Sequence, residues 1–125
     1  MAMSLQHVLE ARRRIQRFIH TTPVMQSLHL NERTGSDLFF KCEHLQKTGA
    51  FKARGAANAV FALSDEKAKT GVATHSSGNH GAALARAAQL RGIPAWIVVP
   101  ENALSSKKAA IRHYGAEIIE CAPTL

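Results

Sequence analysis

The sequence predicts an α/β fold built around a parallel sheet, and three observations carry that expectation. Short apolar runs recur after residue 70, at Val72-Ala73-Thr74-His75, Ala95 to Val99 and Ala116 to Cys121. Between them lie two segments of about ten residues, Gly81 to Leu90 and Ser105 to His113, each followed by a glycine, Gly92 and Gly115, of the kind that closes a helix. Helices of that length between short strands are the crossovers that parallel strands need, whereas antiparallel strands are joined by tight turns. A chain of 125 residues with 46% hydrophobic content can bury one modest core.

The N-terminal half is less regular. Ser4 is placed to cap a helix running to about Phe18, and Thr21-Thr22-Pro23 ends it, because the residue before a proline is pushed out of the helical region. A loop follows, with a short helix over 27–31. Turn chemistry at Thr34-Gly35-Ser36-Asp37 introduces a strand over Leu38 to Glu43. A helix is expected from Lys52 to Leu63, with small and apolar residues at Ala56, Ala57, Ala59, Val60 and Ala62, and then a polar linker from Ser64 to Gly71.

Composition excludes several function classes. No apolar span of membrane-crossing length is present, and Glu10 and Arg12 to Arg14 interrupt the N-terminus before a signal-peptide core forms, so membrane and secretion are not expected and the reading is cytoplasmic. Cys42 and Cys121 are too few for a disulfide framework and lie in apolar runs, which fits buried free thiols in a reducing compartment. The net charge of +7 raises nucleic acid as a partner, but the local cluster, Arg12, Arg13, Arg14 and Arg17, alternates with Leu5, Val8, Leu9, Ile15, Phe18 and Ile19 at helical spacing. That pattern reads as the wet face of a packed helix, and one Trp and one Tyr offer little to stack bases on; no nucleic-acid role is expected. The glycine spacing fits neither a dinucleotide fingerprint nor a P-loop. His75 and His80, five apart, share no helix face, so no metal site is expected. Lys107, Lys108 and Arg112 read as a solvated helix face.

Two stretches carry chemistry. Thr48-Gly49-Ala50-Phe51-Lys52-Ala53-Arg54-Gly55 puts Lys52 at the N-terminus of an apolar helix with Phe51 beside it. Partial burial and the positive end of the helix dipole both disfavour an ammonium there, and a neutral amine is the nucleophile that condenses with a carbonyl. The alternative is a solvated surface lysine whose stem lies along apolar neighbours. The second stretch, Ser76-Ser77-Gly78-Asn79-His80-Gly81, lies where a strand hands over to a helix, and free N–H groups there suit a carboxylate or a phosphate. Its structural alternative has Gly78 serving the turn, Ser77 capping the helix and His80 exposed at the helix start.

Taken together, the two stretches resemble the fold-type II pyridoxal-phosphate enzymes, the tryptophan synthase β-like group, and within it serine racemase and the serine, threonine and hydroxyaspartate ammonia-lyases. Where those enzymes usually have serine in the first motif, this chain has Ala50. The resemblance implies a three-layer parallel-sheet βαβ architecture, incomplete here, with residues 1–70 belonging to a large cofactor domain and 71–125 beginning a smaller one. It implies pyridoxal 5'-phosphate held by Lys52, with Phe51 near the ring and Asn79 at its phenolic oxygen. It further implies a substrate carboxylate gripped by Ser76, Ser77, Asn79 and His80. Lys52 and Ser77 are the expected catalytic pair, since Ser77 stands where threonine dehydratases typically carry alanine. The implied substrates are serine, threonine or hydroxyaspartate, and the implied assembly is a homodimer when full length.

Family members are roughly two and a half times longer, an ordinary size for a two-domain enzyme. The later glycine-rich phosphate loop, the serine near the pyridine nitrogen and the carboxylates for a divalent cation have no counterparts in these 125 residues, so the isolated chain is expected to turn over serine poorly or not at all. Two rivals to the enzyme reading are an inactive chain that binds and modulates a full-length relative, and a basic anion-binding module without chemistry. Visible absorbance and borohydride trapping on one lysine separate the enzyme from both.

Overall fold

The computed structural model describes residues 2–123 of the chain. Helix α1 (Leu5–Ile15) starts as expected: the Ser4 hydroxyl accepts from the His7 N–H, and the His7 ring accepts from the Ser4 N–H, a reciprocal cap. It is anchored at its C-terminal end, where Ile15 is buried, Phe18 stacks on Phe61 at 4.0 Å and Arg14 donates to Asn58 at 2.5 Å. Leu5, Val8 and Leu9 are exposed, so the expected packing of the whole apolar stripe is not observed.

The strand expected over 38–43 shrinks to a two-residue ladder, in which β1 (Val24–Met25) pairs antiparallel with β2 (Phe40–Lys41). Between them α2 (Leu28–Thr34) is capped by Ser27 and closed by Gly35 at φ +65°. Instead of continuing as strand, residues 42–50 form two tight 3₁₀ turns organised by side chains. Buried Gln46 accepts from the His20 and Lys47 N–H groups and donates to the His20 carbonyl, each within 2.9 Å. Glu43 accepts from Arg54 at 2.9 and 2.7 Å and from Thr22 at 2.5 Å, a fork that fixes the entry to α3 (Lys52–Ala62). The expected linker contains α4 (Asp65–Lys69), capped by Ser64, with its acids in the first turn and lysines in the last as the helix dipole favours.

The second half follows the expected alternation: β3 (Val72–His75), α5 (Asn79–Arg91), β4 (Ala95–Pro100), α6 (Ser105–His113) and β5 (Glu117–Cys121). Helix α5 begins two residues earlier than expected. The three strands are parallel in the order β3-β4-β5, with Thr74 beside Ile97 and Ile97 beside Ile118. Ile97, Val99, Leu84 and Ile111 form the core where α5 and α6 cover one face of this sheet. The opposite face carries Trp96 beside Glu117 and Val98 beside Ile119, with no helical layer over it among the described residues. The Trp96 indole N–H donates to Glu117 at 2.9 Å.

Helix α3 joins that core through Ala56 and Val60, packing along α5, whose buried residues are mostly alanine. Small side chains on both helices permit this close approach. The two helices run parallel. At the C-terminal end of α5, Arg91 donates to the Val60 carbonyl and to the Leu63 carbonyl at 2.9 Å, both at the C-terminal end of α3, and to Asp65, the first residue of α4, at 3.0 Å. Their N-termini therefore share one end of the molecule. Cys42 is buried just after β2 rather than within it, Cys121 is half-buried, and both thiols are free. No helix among the described residues is long and apolar enough to cross a membrane.

Candidate active site

The parallel α3 and α5 bring the two sequence motifs together at their shared N-terminal end. Lys52 is the first residue of α3, and its Nζ sits 5.2 Å from the centroid of the Phe51 ring, a cation–π spacing. The Lys52 and Phe51 side chains are exposed, so the burial expected around the amine is not provided by the described residues. The turn before it is unusual. Thr48 has φ +62°, a left-handed conformation rare for a β-branched residue, and Gly49 continues it at φ +68°. The Thr48 hydroxyl oxygen is buried with no hydrogen-bond partner among the described residues.

The facing loop corrects one expectation. Ser76, not Ser77, caps α5: its hydroxyl accepts from the Gly78 N–H at 3.2 Å and the Gly81 N–H at 3.0 Å. Ser77 is exposed, and its hydroxyl makes no hydrogen bond within the described residues. With Ser76 serving the Gly78 and Gly81 amides, those of Ser77, Asn79 and His80 remain without acceptors among the described residues. Gly78 is not left-handed, so the turn does not demand glycine; a Cβ there would meet nothing within 4 Å. A bare position above three free amides at a helix N-terminus is a cradle for an anionic group.

Sequence reasoning missed three contributors. The Glu43–Arg54 fork is one: the guanidinium's two bonds hold the Glu43 carboxyl at about 2, against the opposing pull of burial, with Thr22 adding to the lowering. The second is Thr48, whose backbone strain is invisible in a residue string. The third is Lys107, whose Nζ donates to the Asn79 Oδ1 at 2.5 Å. The expected solvated face is only partly observed: Lys108 is 12% exposed and bonds to the Glu101 carbonyl and Glu120, both at 2.8 Å, whereas Arg112 is exposed and the Lys107–Asn79 pair faces solvent. A separate cleft of about 530 Å³ opens between α3 and β3, with Gly55, Ala59, Val72 and His80 on its walls. Lys52, Ser77 and Asn79 do not line it, so it adjoins the motifs without being their meeting point.

The described residues fit a cofactor that carries an aldehyde and ionised oxygens. An accessible lysine amine, three unpaired amides, a bare glycine and an unpartnered buried hydroxyl lie on the two stretches that begin neighbouring parallel helices.

Comparison with known proteins agrees with this chemistry. A family model described as pyridoxal-phosphate dependent enzyme matches residues 15–125. The chain is 50% identical over 123 residues to a serine racemase of Dictyostelium discoideum, covering 98% of this chain and 38% of that protein. It is 55% identical over 117 residues to a beta-hydroxyaspartate dehydratase of Paracoccus denitrificans, covering 94% of this chain and 37% of the relative. Among solved structures, maize serine racemase superposes on it with a TM-score of 0.95 at 51% identity, covering 100% of this chain and 38% of that one. The chain thus spans somewhat more than a third of the length of these relatives.

Proposed function

The chain belongs to the pyridoxal-phosphate-dependent enzymes, and from that premise we propose that it carries the lysine and the carboxylate-binding loop of a serine racemase or serine/threonine ammonia-lyase. The substrate class is a small β-hydroxy amino acid: serine, threonine or hydroxyaspartate. The observation that carries this reading is that Lys52 and the Ser76–Gly81 loop lead into two parallel helices from the same end of the molecule. The relatives named above support the substrate class, and they supply no assignment of roles to these residues.

When bound, pyridoxal phosphate acts as an electron sink for the charge left at the α-carbon, which is the difficult part of the chemistry. The protein's residues supply position and proton transfer. Lys52 Nζ would hold the cofactor through its carbonyl carbon and, once the substrate's amino group has displaced it from that carbon, would be the free amine placed to take the α-proton on one face. The Ser77, Asn79 and His80 amides receive the substrate carboxylate, with the His80 ring flanking it. Ser76, whose hydroxyl is engaged with Gly78 and Gly81, shapes this loop from beneath. Phe51 covers the side of the amine on which its ring already lies. The Asn79 side chain would address the cofactor's phenolic oxygen, and Ser77 would serve as the acid or base opposite Lys52. The same reading divides the chain into a large-domain part, 1–70, and the start of a small domain, 71–125, and it expects a homodimer for the complete enzyme.

The test is direct. Incubation with pyridoxal phosphate followed by borohydride should attach one cofactor to the peptide containing Lys52, and Lys52→Ala should abolish that attachment. Lys41 and Lys47 serve as controls, Lys41 being engaged with the Thr22 carbonyl at 2.7 Å. Attachment that survives Lys52→Ala, or that moves to Lys47, would show the motif to be misassigned. A chain that stays colourless and unlabelled would favour an anion-binding or modulating role.

A further inference from the structure

Lys107 lies in the first turn of α6, and its one side-chain partner among the described residues is the Asn79 Oδ1, 2.5 Å away and 28 residues back in the chain. An ammonium has three donors and no acceptor, so of the two ends of the amide it can meet only the oxygen. That pairing decides which way the Asn79 amide is turned. Its Nδ2, carrying two N–H donors, makes no hydrogen bond within the described residues and is the end left for a ligand.

The neighbouring contacts make this more than a wandering surface lysine. Lys108 moors the same turn of α6 by donating to the Glu101 carbonyl and to Glu120 across to β5, and its side chain is 12% exposed. Lys107 is itself half-buried, while its bond to the exposed Asn79 faces the solvent from which a ligand would arrive. On the other side of the pair, Asn79 is the first residue of α5, and Ser76 holds that helix start through the Gly78 and Gly81 amides. Donor and acceptor thus sit on two fixed helix beginnings that share one core through Gly81 and Ile111.

We propose that Lys107 is a positioning residue for the site: it locks the Asn79 amide with Nδ2 as the presented donor, so that this position selects a ligand oxygen that accepts. The inference rests on the reading above, in which Asn79 addresses the cofactor's phenolic oxygen. An oxygen bearing negative charge is the partner such a donor prefers, and the adjacent ammonium polarises the amide to donate more strongly. Without Lys107 the amide is free to turn its own oxygen towards that ligand oxygen, replacing attraction by repulsion.

Two measurements on the 125-residue chain test this. The first needs no cofactor: the Asn79 side-chain amide resonances, identified by their loss in Asn79→Ala, should shift in Lys107→Met and return towards their original positions in Lys107→Arg. Resonances that ignore Lys107→Met would overturn the pairing. The second is the dissociation constant for pyridoxal phosphate, followed by absorbance. Lys107→Met should weaken it about tenfold, the scale of one charge-assisted hydrogen bond, while borohydride still labels Lys52. In an Asn79→Ala background Lys107→Met should have no further effect; an undiminished tenfold loss there would show that Lys107 does not act through Asn79. If the wild-type chain captures no cofactor, the ligand named here falls for these 125 residues, and the amide resonances still decide whether Lys107 sets the orientation of Asn79.

Discussion

At the scale of single residues, the reading proposed above makes Ser77 the group that would separate two activities sharing one first step. Racemisation removes a proton from one face of a planar centre and returns one to the other, so it needs a group opposite Lys52, whereas elimination can proceed from the Lys52 side alone. Ser76 occupies the helix-capping role, which leaves the Ser77 hydroxyl uncommitted. In an active full-length form, Ser77→Ala should therefore collapse racemisation, by at least about a hundredfold on the usual scale of acid–base catalysis, while elimination from one serine enantiomer persists. Assays on each enantiomer separately check this, and equal loss of both activities would return Ser77 to a binding role. Glu43 offers a test that needs no activity. Its carboxyl is held at about 2 by Arg54, below the ordinary range, so its contribution is present above the unfolded value and is lost as pH falls towards 2. Urea midpoints should favour wild type over Glu43→Gln by about 1–2 kcal/mol at pH 7, discounted for partial solvent access, and the gap should narrow between about pH 5 and 2. That Lys52 opens one helix and the 76–81 loop joins a strand to another was legible in the sequence, because those signals are local. Lys107 was not, because its partner lies on another helix, and nothing in a run of two lysines distinguishes a moored side chain from a solvated one.

At the scale of elements, the second half was readable almost to the residue, since apolar runs, glycine stops and helix-length spacers all pointed to the same answer. The first half was not. Leu38 to Glu43 has the composition of a strand, but Cys42 and Glu43 turn away into 3₁₀ structure, where Glu43 meets Arg54 and Gln46 meets His20, long-range partners with no local signature. The apolar stripe of α1 was equally misleading: its period was right, but only the Ile15 end is buried. Tight α5 packing yields the next prediction. A Cβ at Gly81 would come within 3.0 Å of Ile97 Cγ2 and 3.1 Å of Ile111 Cδ1, both on fully buried side chains with little room to yield. Gly81→Ala should lower stability by about 1–3 kcal/mol despite the better helix propensity of alanine, because overpacking outweighs it. Gly78→Ala, which meets open space, should leave the unfolding midpoint nearly unchanged while narrowing access to the loop amides.

At the scale of the whole molecule, one core crosses the division proposed at residue 70. Ala56 and Val60 from α3 pack along α5 and through it belong to one cluster with residues of β4 and α6, so the halves on either side of that division should unfold together. Val60→Ala is expected to cost about 1–3 kcal/mol and to reduce the hydrogen-exchange protection of β4 amides by the same free energy as that of α3; loss confined to α3 would show the halves to be independent. The parallel course of α3 and α5 was beyond the sequence, since it rests on Arg91 reaching carbonyls about thirty residues away. The sheet's helix-free face has a consequence of another kind. Trp96 is the chain's one tryptophan, and it lies on that face with its indole N–H bonded to Glu117. Whatever comes to rest there must strip water from the indole, so the emission colour of a single native fluorophore, moving towards the blue, reports in real time whether the sheet has acquired its second coat.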